Sequence, residues 1–523
     1  MDVLIPPDIP IAEIEWRILD NTAVSTSPLN GVTTTFTRPG TRWGARLSFR
    51  NLKDRERARL LAILAAVRGR SGRIYFTSAA DPARTGGYSF PELFTNADFA
   101  NGTTGWTTTL ASLAVRDRVA RLTVSAPGSN PQIYQTGIPV TQYAPHILRS
   151  MILAGKGLGG VIVGPSITEA SGQDANYVTA RGLIFCVRVA AATSTSAFAI
   201  VVASQSGYET GHYLELPFTS YARCALVDNG GNYMLQSDAA QTTWSASNLT
   251  VSANAHTAPD GTSTADGLIE DSSTGFHYLQ QSYTRVSVAE DWCVYADAAT
   301  IASSRNVALD LADGAGNGAS CVFDLTAGTA GTPSVTGTAT NARAFIVNVG
   351  NGYWRCYLVA RLPASTTARM QVLLANGSTL SYAGNGSGRI SVWRMGAHRT
   401  GVPSRTTATA GTVTPPASQT GSGLYLKGLP ASTQNIRAAG DMVEIILPTG
   451  SQLVRLTAAL DSDAAGLGYL QFENPVRVSP ADNAAVIFNQ PMMRGILTEG
   501  PAWPTRPGLF SDFDIDLIED IAP

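Results

Sequence analysis

The chain has 523 residues, a length that predicts three or four domains. Apolar residues make up 44% and charged residues only 15%, a balance that favours short strands and turns over long charged helices. The formal net charge of −2 leaves no broad basic surface to neutralise nucleic-acid phosphates, so DNA and RNA are excluded as expected ligands. The N-terminus lacks the basic then apolar pattern of a signal peptide, and we expect the chain to fold in a cytoplasm without a membrane span.

The N-terminal segment predicts several strands and one helix. In "RWGARLSFR" apolar residues alternate with Arg42, Arg46 and Arg50, which predicts a half-buried strand with a basic face. Apolar residues then recur at helical spacing from Leu60 to Val67, followed by Gly69 as a C-terminal cap, and "GRIYFTS" returns to extended structure. These few strands leave apolar edges exposed, so we expect further strands from elsewhere in the chain.

Those further strands are predicted at the C-terminal end, from Leu424 onward. The last of them has an apolar face and an acidic face, the latter formed by Asp512, Asp514 and Asp516. The acidic strand and the basic strand could be neighbours in one sheet or meet across a subunit contact, and both alternatives stay open. The simplest interpretation is one discontinuous domain, opened after Ser78 and resumed near Gly423.

The middle of the chain contains two similar units. Each has a polar loop, a tryptophan (Trp106 or Trp244) and a Ser/Thr-rich strand, followed by short strands with Gly-rich turns. This pattern predicts two tandem antiparallel sandwiches. The stretch 401–422 is poor in bulky apolar residues and predicts a linker back to the first domain.

Two blocks of the sequence resemble a known protein family. They are "RWGARLSFRNLKDRERARLLAILAAVRGRSGRIYF" and "AGDMVEIILPTGSQLVRLTAALDSDAAGLGYLQFENPVRVSPADNAAVIF". Together they resemble the distal tail proteins of long-tailed (siphovirus-type) bacteriophages, in whose shorter members only a brief loop separates them. The resemblance implies a small split barrel with a helix, assembled as a ring, usually a hexamer. Such a ring joins the tail tube protein to the tail-tip hub protein, which implies a virion location at the tail tip.

The inserted units resemble carbohydrate-binding modules of the jelly-roll type. In the second unit the resemblance rests on "VGNGYWRCYLVARL" and "GSGRISVWRMGAHRTG", and in the first, more faintly, on "NADFANGTTGWT". By analogy this implies a host cell-surface polysaccharide as a partner. The chain differs from distal tail proteins that carry a galectin-like C-terminal domain, because its extra domains lie inside the barrel.

The expected fold is therefore mainly β, with a discontinuous split β-barrel and one α-helix, plus two inserted β-sandwich (jelly-roll) domains. The barrel comprises residues 1–85 and 423–523, the sandwiches comprise 90–228 and 229–400, and the linker comprises 401–422. Ring closure requires two different patches that meet repeatedly around an axis. The basic face (Arg42, Arg46, Arg50) and the acidic face (Asp512, Asp514, Asp516) are candidates for part of that interface, with two solvated strand faces as the alternative.

Sugar binding would use aromatic rings that stack on pyranose C–H surfaces and polar groups that order the hydroxyls. The candidates are His277 and Tyr278 in "GFHYLQQ", and Tyr177, Tyr208 and Tyr213 in the first module. A tryptophan in a strand is more often a core residue. We therefore interpret Trp106, Trp244, Trp354 and Trp393 as structural.

The sequence predicts no enzyme activity, metal or cofactor. "GKGLGG" lacks the following helix of a dinucleotide site, and "DLADGAGNG" lacks the ligand spacing of an EF-hand, so both favour turns. The five cysteines have no zinc or redox spacing and are expected to be buried thiols: Cys186, Cys224, Cys293, Cys321 and Cys356. The alternative function is an extracellular carbohydrate-active enzyme or adhesin, and the inserts could also be spacers that bind nothing.

Overall fold

The computed structural model shows a mainly β protein. It describes residues 2–5, 9–19, 23–26, 33–36, 41–77, 90–126, 131–141, 144–156, 161–166, 176–178, 182–189, 194–202, 210–228, 233–234, 240–285, 287–301, 305–399, 419–448, 450–463, 466–476, 478–499 and 510–520. No helix in these ranges is long and apolar enough to cross a bilayer. Tyr208, residues 157–160 of the glycine-rich motif and residues 401–418 of the expected linker lie outside the described residues.

Forty strands and two α-helices follow one another along the described chain. The N-terminal part contains β1 (Asp2–Leu4), β2 (Glu13–Leu19), β3 (Ala23–Thr26), β4 (Thr33–Phe36), β5 (Arg42–Lys53), α1 (Asp54–Val67) and β6 (Arg73–Thr77). The next part contains β7 (Thr107–Thr109), β8 (Ala111–Arg116), β9 (Val119–Val124), β10 (Gln132–Pro139), β11 (Pro145–Ile152), β12 (Ala154–Lys156), β13 (Val161–Ser166), β14 (Asn176–Val178), β15 (Gly182–Val189), β16 (Ser194–Val202), β17 (Tyr213–Leu216), β18 (Phe218–Arg223) and β19 (Ala225–Val227).

The second inserted unit contains α2 (Ala240–Thr243), β20 (Ser245–Ser247), β21 (Leu249–His256), β22 (Ala265–Glu270), β23 (Thr274–Thr284), β24 (Glu290–Thr300), β25 (Asn306–Asp313), β26 (Gly318–Asp324), β27 (Thr329–Ala330), β28 (Ser334–Thr336), β29 (Thr340–Gly350), β30 (Tyr353–Leu362), β31 (Thr367–Ala375), β32 (Ser381–Ala383) and β33 (Arg389–His398). The C-terminal part contains β34 (Gly421–Lys427), β35 (Met442–Leu447), β36 (Gly450–Arg455), β37 (Gly468–Val476), β38 (Ala485–Ile487), β39 (Met492–Leu497) and β40 (Phe510–Glu519).

Helix α1 forms where the periodicity predicts it. Leu60, Leu64 and Val67 are buried against the neighbouring sheet, as their helical spacing requires. At its N-terminus the Glu56 carboxylate accepts the Lys53 backbone N–H at 2.9 Å. The helix ends at Val67 and is capped by Arg68, which has a left-handed φ of 53°, so the cap lies one residue before the predicted Gly69.

Strands from both ends of the chain form one six-stranded sheet, the terminal sheet. Its order is β1-β6-β39-β40-β5-β2. Strand β40 pairs antiparallel with β5, and β39 pairs antiparallel with β6. Of the two alternatives left open by the sequence, the structure has the first: the acidic strand and the basic strand are neighbours within one chain.

A second six-stranded sheet curls into a nearly closed barrel. Its order is β36-β35-β38-β19-β34-β37, and its two edge strands meet again at a bridge between Leu456 and Phe472. The Thr457 backbone N–H also donates to the Gln471 carbonyl at 3.0 Å. Buried apolar side chains fill the interior, among them Leu426, Val443, Ile445, Leu470, Phe472 and Val486.

One barrel strand comes from the middle of the chain. Strand β19 pairs with β34 on one side and β38 on the other, so the chain returns to the barrel between its two inserted units. These residues fall within the range 90–228 that the sequence analysis assigned to the first sandwich. A three-residue strand is too short to show the alternation that marks a strand in sequence.

The first inserted unit packs tightly on the barrel and the terminal sheet. All eight residues of β11 are buried, because the strand has a neighbour on both faces. Leu148 and Ile152 face the unit's own core, whereas Ile147 contacts barrel residues and Met151 contacts Met492 of β39. The apolar stretch that contains β15 and β16 forms two strands, and these lie in different sheets.

A buried ion pair fastens the first unit to the barrel. Arg149 of β11 lies 3.1 Å from Glu444 of β35, and the side chains are 1% and 0% exposed. Arg149 also donates to the Asn489 carbonyl at 2.7 Å, and the Met492 N–H donates to Glu444 at 3.0 Å. Burial raises the pKa of Glu444 and lowers the pKa of Arg149, effects that each partner's charge opposes.

The second inserted unit is a sandwich of two sheets around one apolar core. One sheet has the order β20-β23-β31-β25-β26-β27, with β28 and β32 added at its margins, and the other has the order β21-β22-β33-β24-β30-β29. Trp292, Leu309, Leu358 and Val372 lie between them. A buried lysine of the barrel, Lys427, lies 2.9 Å from Asp482 and 3.9 Å from Asp228, next to the segment that enters this unit.

The five cysteines are buried and free, as the sequence predicts. Burial raises the pKa of Cys224 and of Cys293 to about 12, so these thiols stay protonated at neutral pH.

We predict that Glu444→Gln destabilises the protein by about 3–5 kcal/mol, because it leaves the Arg149 charge buried without its partner. Urea unfolding of the full chain measures the effect. The control is Glu473→Gln, which breaks the half-exposed pair with Arg455 and should cost about 1 kcal/mol or less. Equal losses in the two variants would contradict this role of the buried pair.

Candidate functional site

The outer face of the terminal sheet carries a compact set of charges. Asp514 of β40 accepts hydrogen bonds from Arg50 at 2.7 Å, from Ser48 at 2.8 Å and from Arg46 at 3.1 Å. Partial burial would raise the pKa of Asp514, but these three donors outweigh it and hold the pKa below its usual value. Asp516 pairs with Arg17 of β2.

The remaining members of the candidate interface also have places in this sheet. Asp512 accepts the Asn51 backbone N–H at 2.9 Å, and Arg42 begins β5 opposite Leu19. The structure thus brings the basic and acidic faces together inside one chain, where their charges largely neutralise each other. A role for this face between subunits stays a prediction.

The structure places His277 and Tyr278 on opposite faces of β23. His277 is 0% exposed, its Nδ1 lies 2.7 Å from the Asn248 carbonyl oxygen, and its ring centroid lies 4.8 Å from that of Tyr382. A buried imidazole cannot contact a ligand at the surface, so His277 is a core residue here. Tyr278 is half-buried on the outward face, two residues from the exposed Phe276.

A buried carboxylate, Glu270, contacts the same tyrosine as His277, namely Tyr382. Glu270 is 2% exposed and accepts two hydrogen bonds from Arg305, at 2.7 and 2.8 Å. It also accepts the Tyr382 hydroxyl at 2.7 Å and the Asn385 backbone N–H at 2.9 Å. Burial would raise the pKa of Glu270, but these donors outweigh it and lower the pKa to about 2. A carboxylate with four donors is a structural anchor, and it has no proton to give in catalysis.

Of the candidate tyrosines of the first unit, the structure places Tyr213 and Tyr177 on strands of different sheets. Tyr213 of β17 is half-buried, and the Arg121 guanidinium lies 4.4 Å from its ring centroid. Tyr177 belongs to β14, in a different sheet from β17. Tyr208 lies outside the described residues.

The four tryptophans are structural, as interpreted from the sequence. Trp106, Trp244 and Trp393 are buried, and the half-buried Trp354 packs against the sandwich core. The indole N–H of Trp106 donates to the Asn96 carbonyl at 3.0 Å. The apolar surface of each ring therefore packs mostly against other side chains of the protein.

The loop "DLADGAGNG" is a strand-to-strand turn. Asp313 accepts the N–H groups of Ala315 at 2.9 Å and Asn317 at 2.8 Å, which is the geometry of an Asx turn. Asp310 lies on β25 and pairs with Arg369 at 3.6 Å. In the part of the chain that the structure describes, no three His, Cys, Asp or Glu residues gather as a metal-ligand set.

The sequence analysis missed one exposed aromatic pair. Tyr425 of β34 and Tyr469 of β37 are directly opposite each other, 41% and 42% exposed, with ring centroids 4.5 Å apart. The sequence pattern that could have predicted this pair is the alternation of each tyrosine with buried leucines in two short strands: Leu424, Leu426 and Leu470.

Comparisons with known proteins give only distant similarities. No protein-family model matches the chain, and no curated protein matches it. Among solved structures, the chain is similar to the enzymatically active domain of tailspike protein 4 of bacteriophage CBA120, with 14% identity and a TM-score of 0.21 over 33% of this chain and 21% of that one. It is also similar to the tandem CBM22-1–CBM22-2 domain of Xyn10C from Paenibacillus barcinonensis, with 12% identity and a TM-score of 0.20 over 61% of this chain and 100% of that one.

The chain thus spans about a fifth of the length of the tailspike domain. TM-scores near 0.2 do not establish a shared fold.

We predict that Glu270 makes the second sandwich sensitive to acid. The pKa of Glu270 is about 2 in the folded chain, whereas the ordinary pKa of a glutamate is 4.5. The ionised carboxylate therefore stabilises the folded chain fully above pH 4.5, and this stabilisation is lost as the pH falls towards 2. The difference corresponds to about 3 kcal/mol. Thermal unfolding of the full chain from pH 7 to pH 2 measures it.

In Glu270→Gln this part of the pH dependence should disappear, and the protein should be less stable at neutral pH. The control Glu215→Gln, at the surface pair with Arg121, should keep the wild-type profile. An unchanged acid profile in Glu270→Gln would show that other carboxylates cause the acid sensitivity.

Proposed function

We propose that this protein is a structural component of a bacteriophage virion, a distal tail ring that connects the tail tube to the tail-tip hub. Its inserted units face outward, and the second one contacts glycans of the host surface. The proposal rests on the sequence resemblance and on one structural observation, the pairing of β5 with β40.

Strand β40 lies outside both blocks of the resemblance, but its pairing with β5 and its Glu519 carboxylate connect the two blocks. The first block of the resemblance covers β5, α1 and β6, and the second covers β35 to β38. In the structure the strands of the first block lie in the terminal sheet and those of the second block lie in the adjoining barrel. The Glu519 carboxylate of β40 joins them, accepting the N–H of Trp43 at 3.2 Å and the N–H of Leu453 at 2.8 Å.

The two inserted units are attached differently, which suits different roles for them. The first unit is fixed twice, through Arg149, which ion-pairs with Glu444 of the barrel, and through Asp117, which ion-pairs with Arg55 of α1. It therefore acts as a rigid support. The second unit is a complete sandwich with its own core, and repeated copies of it around a ring would raise weak contacts to high avidity.

We predict that the purified full chain forms a closed ring. Mass photometry should show an oligomer of constant size across concentrations, and negative-stain images should show rotational symmetry with the second sandwiches outside. A protein that stays monomeric at every concentration would contradict the ring and would favour an adhesin.

A further inference from the structure

One lysine lies buried between two aspartates in the barrel. Lys427, the last residue of β34, is 1% exposed, and its Nζ lies 2.9 Å from Oδ1 of Asp482 and 3.9 Å from Oδ1 of Asp228. The chain has 37 basic residues, but only three of them are lysines: Lys53, Lys156 and Lys427. An arginine at this place would stay charged, whereas a lysine can lose its proton and become a nucleophilic amine.

Both aspartates are held in place by neighbouring groups. The backbone carbonyl of Asp228 accepts the Gln419 side-chain amide at 2.8 Å. The backbone N–H of Asn483 donates to the Val227 carbonyl at 3.1 Å, and its side-chain amide donates to Oδ2 of Asp482 at 3.2 Å. The amine and the Asp482 carboxyl group therefore meet at an effective concentration far above that of free reactants in solution.

The charges of this group favour a reaction that removes them. One ammonium and two carboxylates carry a net negative charge, and Lys427 and Asp228 have almost no contact with water. The neighbouring Arg399 guanidinium ion-pairs with Glu290. Transfer of one proton from Lys427 to Asp482 produces an amine and a carboxylic acid, the forms that react. An amide formed from them is neutral, so its burial costs less than the burial of the two charges.

We propose that Lys427 and Asp482 join in an intramolecular isopeptide bond, with Asp228 as the proton carrier. A bond forms between Lys427 Nζ and Asp482 Cγ, one C–O bond of the carboxylic acid breaks, and one water molecule leaves. Asp228 takes a proton from the attacking nitrogen and delivers it to the departing hydroxyl group. The Asn483 amide stabilises negative charge on Oδ2 in the tetrahedral intermediate. The reaction requires no oxidant and no cofactor.

The bond would close a covalent loop within the barrel. The loop runs from residue 427 to residue 482 and contains β35, β36 and β37. Like a disulfide, such a link stabilises the fold by restricting the unfolded chain. This inference concerns the chemistry of the barrel and does not depend on the proposed function.

Mass spectrometry of the denatured full chain tests the bond, directly after purification and again after prolonged incubation at neutral pH. The mass should be lower than the sequence mass by one water molecule. Trypsin cannot cleave after a lysine whose amine is an amide. Digestion should therefore give one branched peptide that joins residues 406–437 to residues 478–494.

Three variants separate the roles of the residues. Lys427→Arg keeps the positive charge but lacks the amine, so it should have the full sequence mass and a lower unfolding temperature. Asp228→Asn keeps both reacting groups and should slow bond formation about a hundredfold or more, because the proton carrier is lost. The matched control is Lys53→Arg, at an exposed position, which should form the bond as the wild type does.

A wild-type chain that has the full sequence mass after incubation and is cleaved at Lys427 would refute the bond, and this measurement decides even where a variant does not fold. A mass deficit that persists in Lys427→Arg would place the loss of water elsewhere and would refute it as well. Bond formation at the wild-type rate in Asp228→Asn would refute the role of Asp228. Ring imaging judges the tail-ring role separately.

Discussion

The antiparallel pairing of β40 with β5 is the contact on which the rest of the structure depends. It joins residues 466 positions apart at the hydrogen bond between Ser48 and Asp514. The entropic cost of closing so long a loop rises only with the logarithm of its length, so two folded units between the strands add little to it. The apolar sides of both strands, including Leu47 and Ile515, offset that cost by burial in one core with α1.

The barrel joins the inserted units to the terminal sheet. Because β19 lies between β34 and β38, the first unit connects β6 of the terminal sheet to the barrel, and the second unit connects two barrel strands, β19 and β34. A buried ion pair reinforces the first of these attachments, between Arg149 of the first unit and Glu444 of the barrel. Such pairs add little net stability, but a misplaced unit would leave an unpaired buried charge, and that penalty selects one arrangement.

In the second sandwich, alternate residues of a strand lie on opposite faces of the sheet, so core residues and outward residues alternate along the strand. On β23, His277, Leu279 and Tyr283 face inward, whereas Phe276, Tyr278 and Gln280 face outward. The inward side chains are buried, as is the Glu270 carboxylate with its hydrogen-bond donors. The outward set consists of the exposed Phe276 and the half-buried Tyr278 and Gln280.

The amino-acid sequence by itself determined the local features of this protein. Alternation in "RWGARLSFR" was enough to predict β5, helical spacing was enough to predict α1, and unfilled strand edges at the N-terminus were enough to predict that the C-terminus would supply their neighbours. Only the tertiary structure decided which strands pair and in which register. It neutralised the charges of Asp514 and Arg50 within one chain, buried His277 beside an outward Tyr278, and added β19 to the barrel. The physical reason is that periodicity is a property of a few consecutive residues, whereas register, burial and charge pairing depend on partners hundreds of residues away.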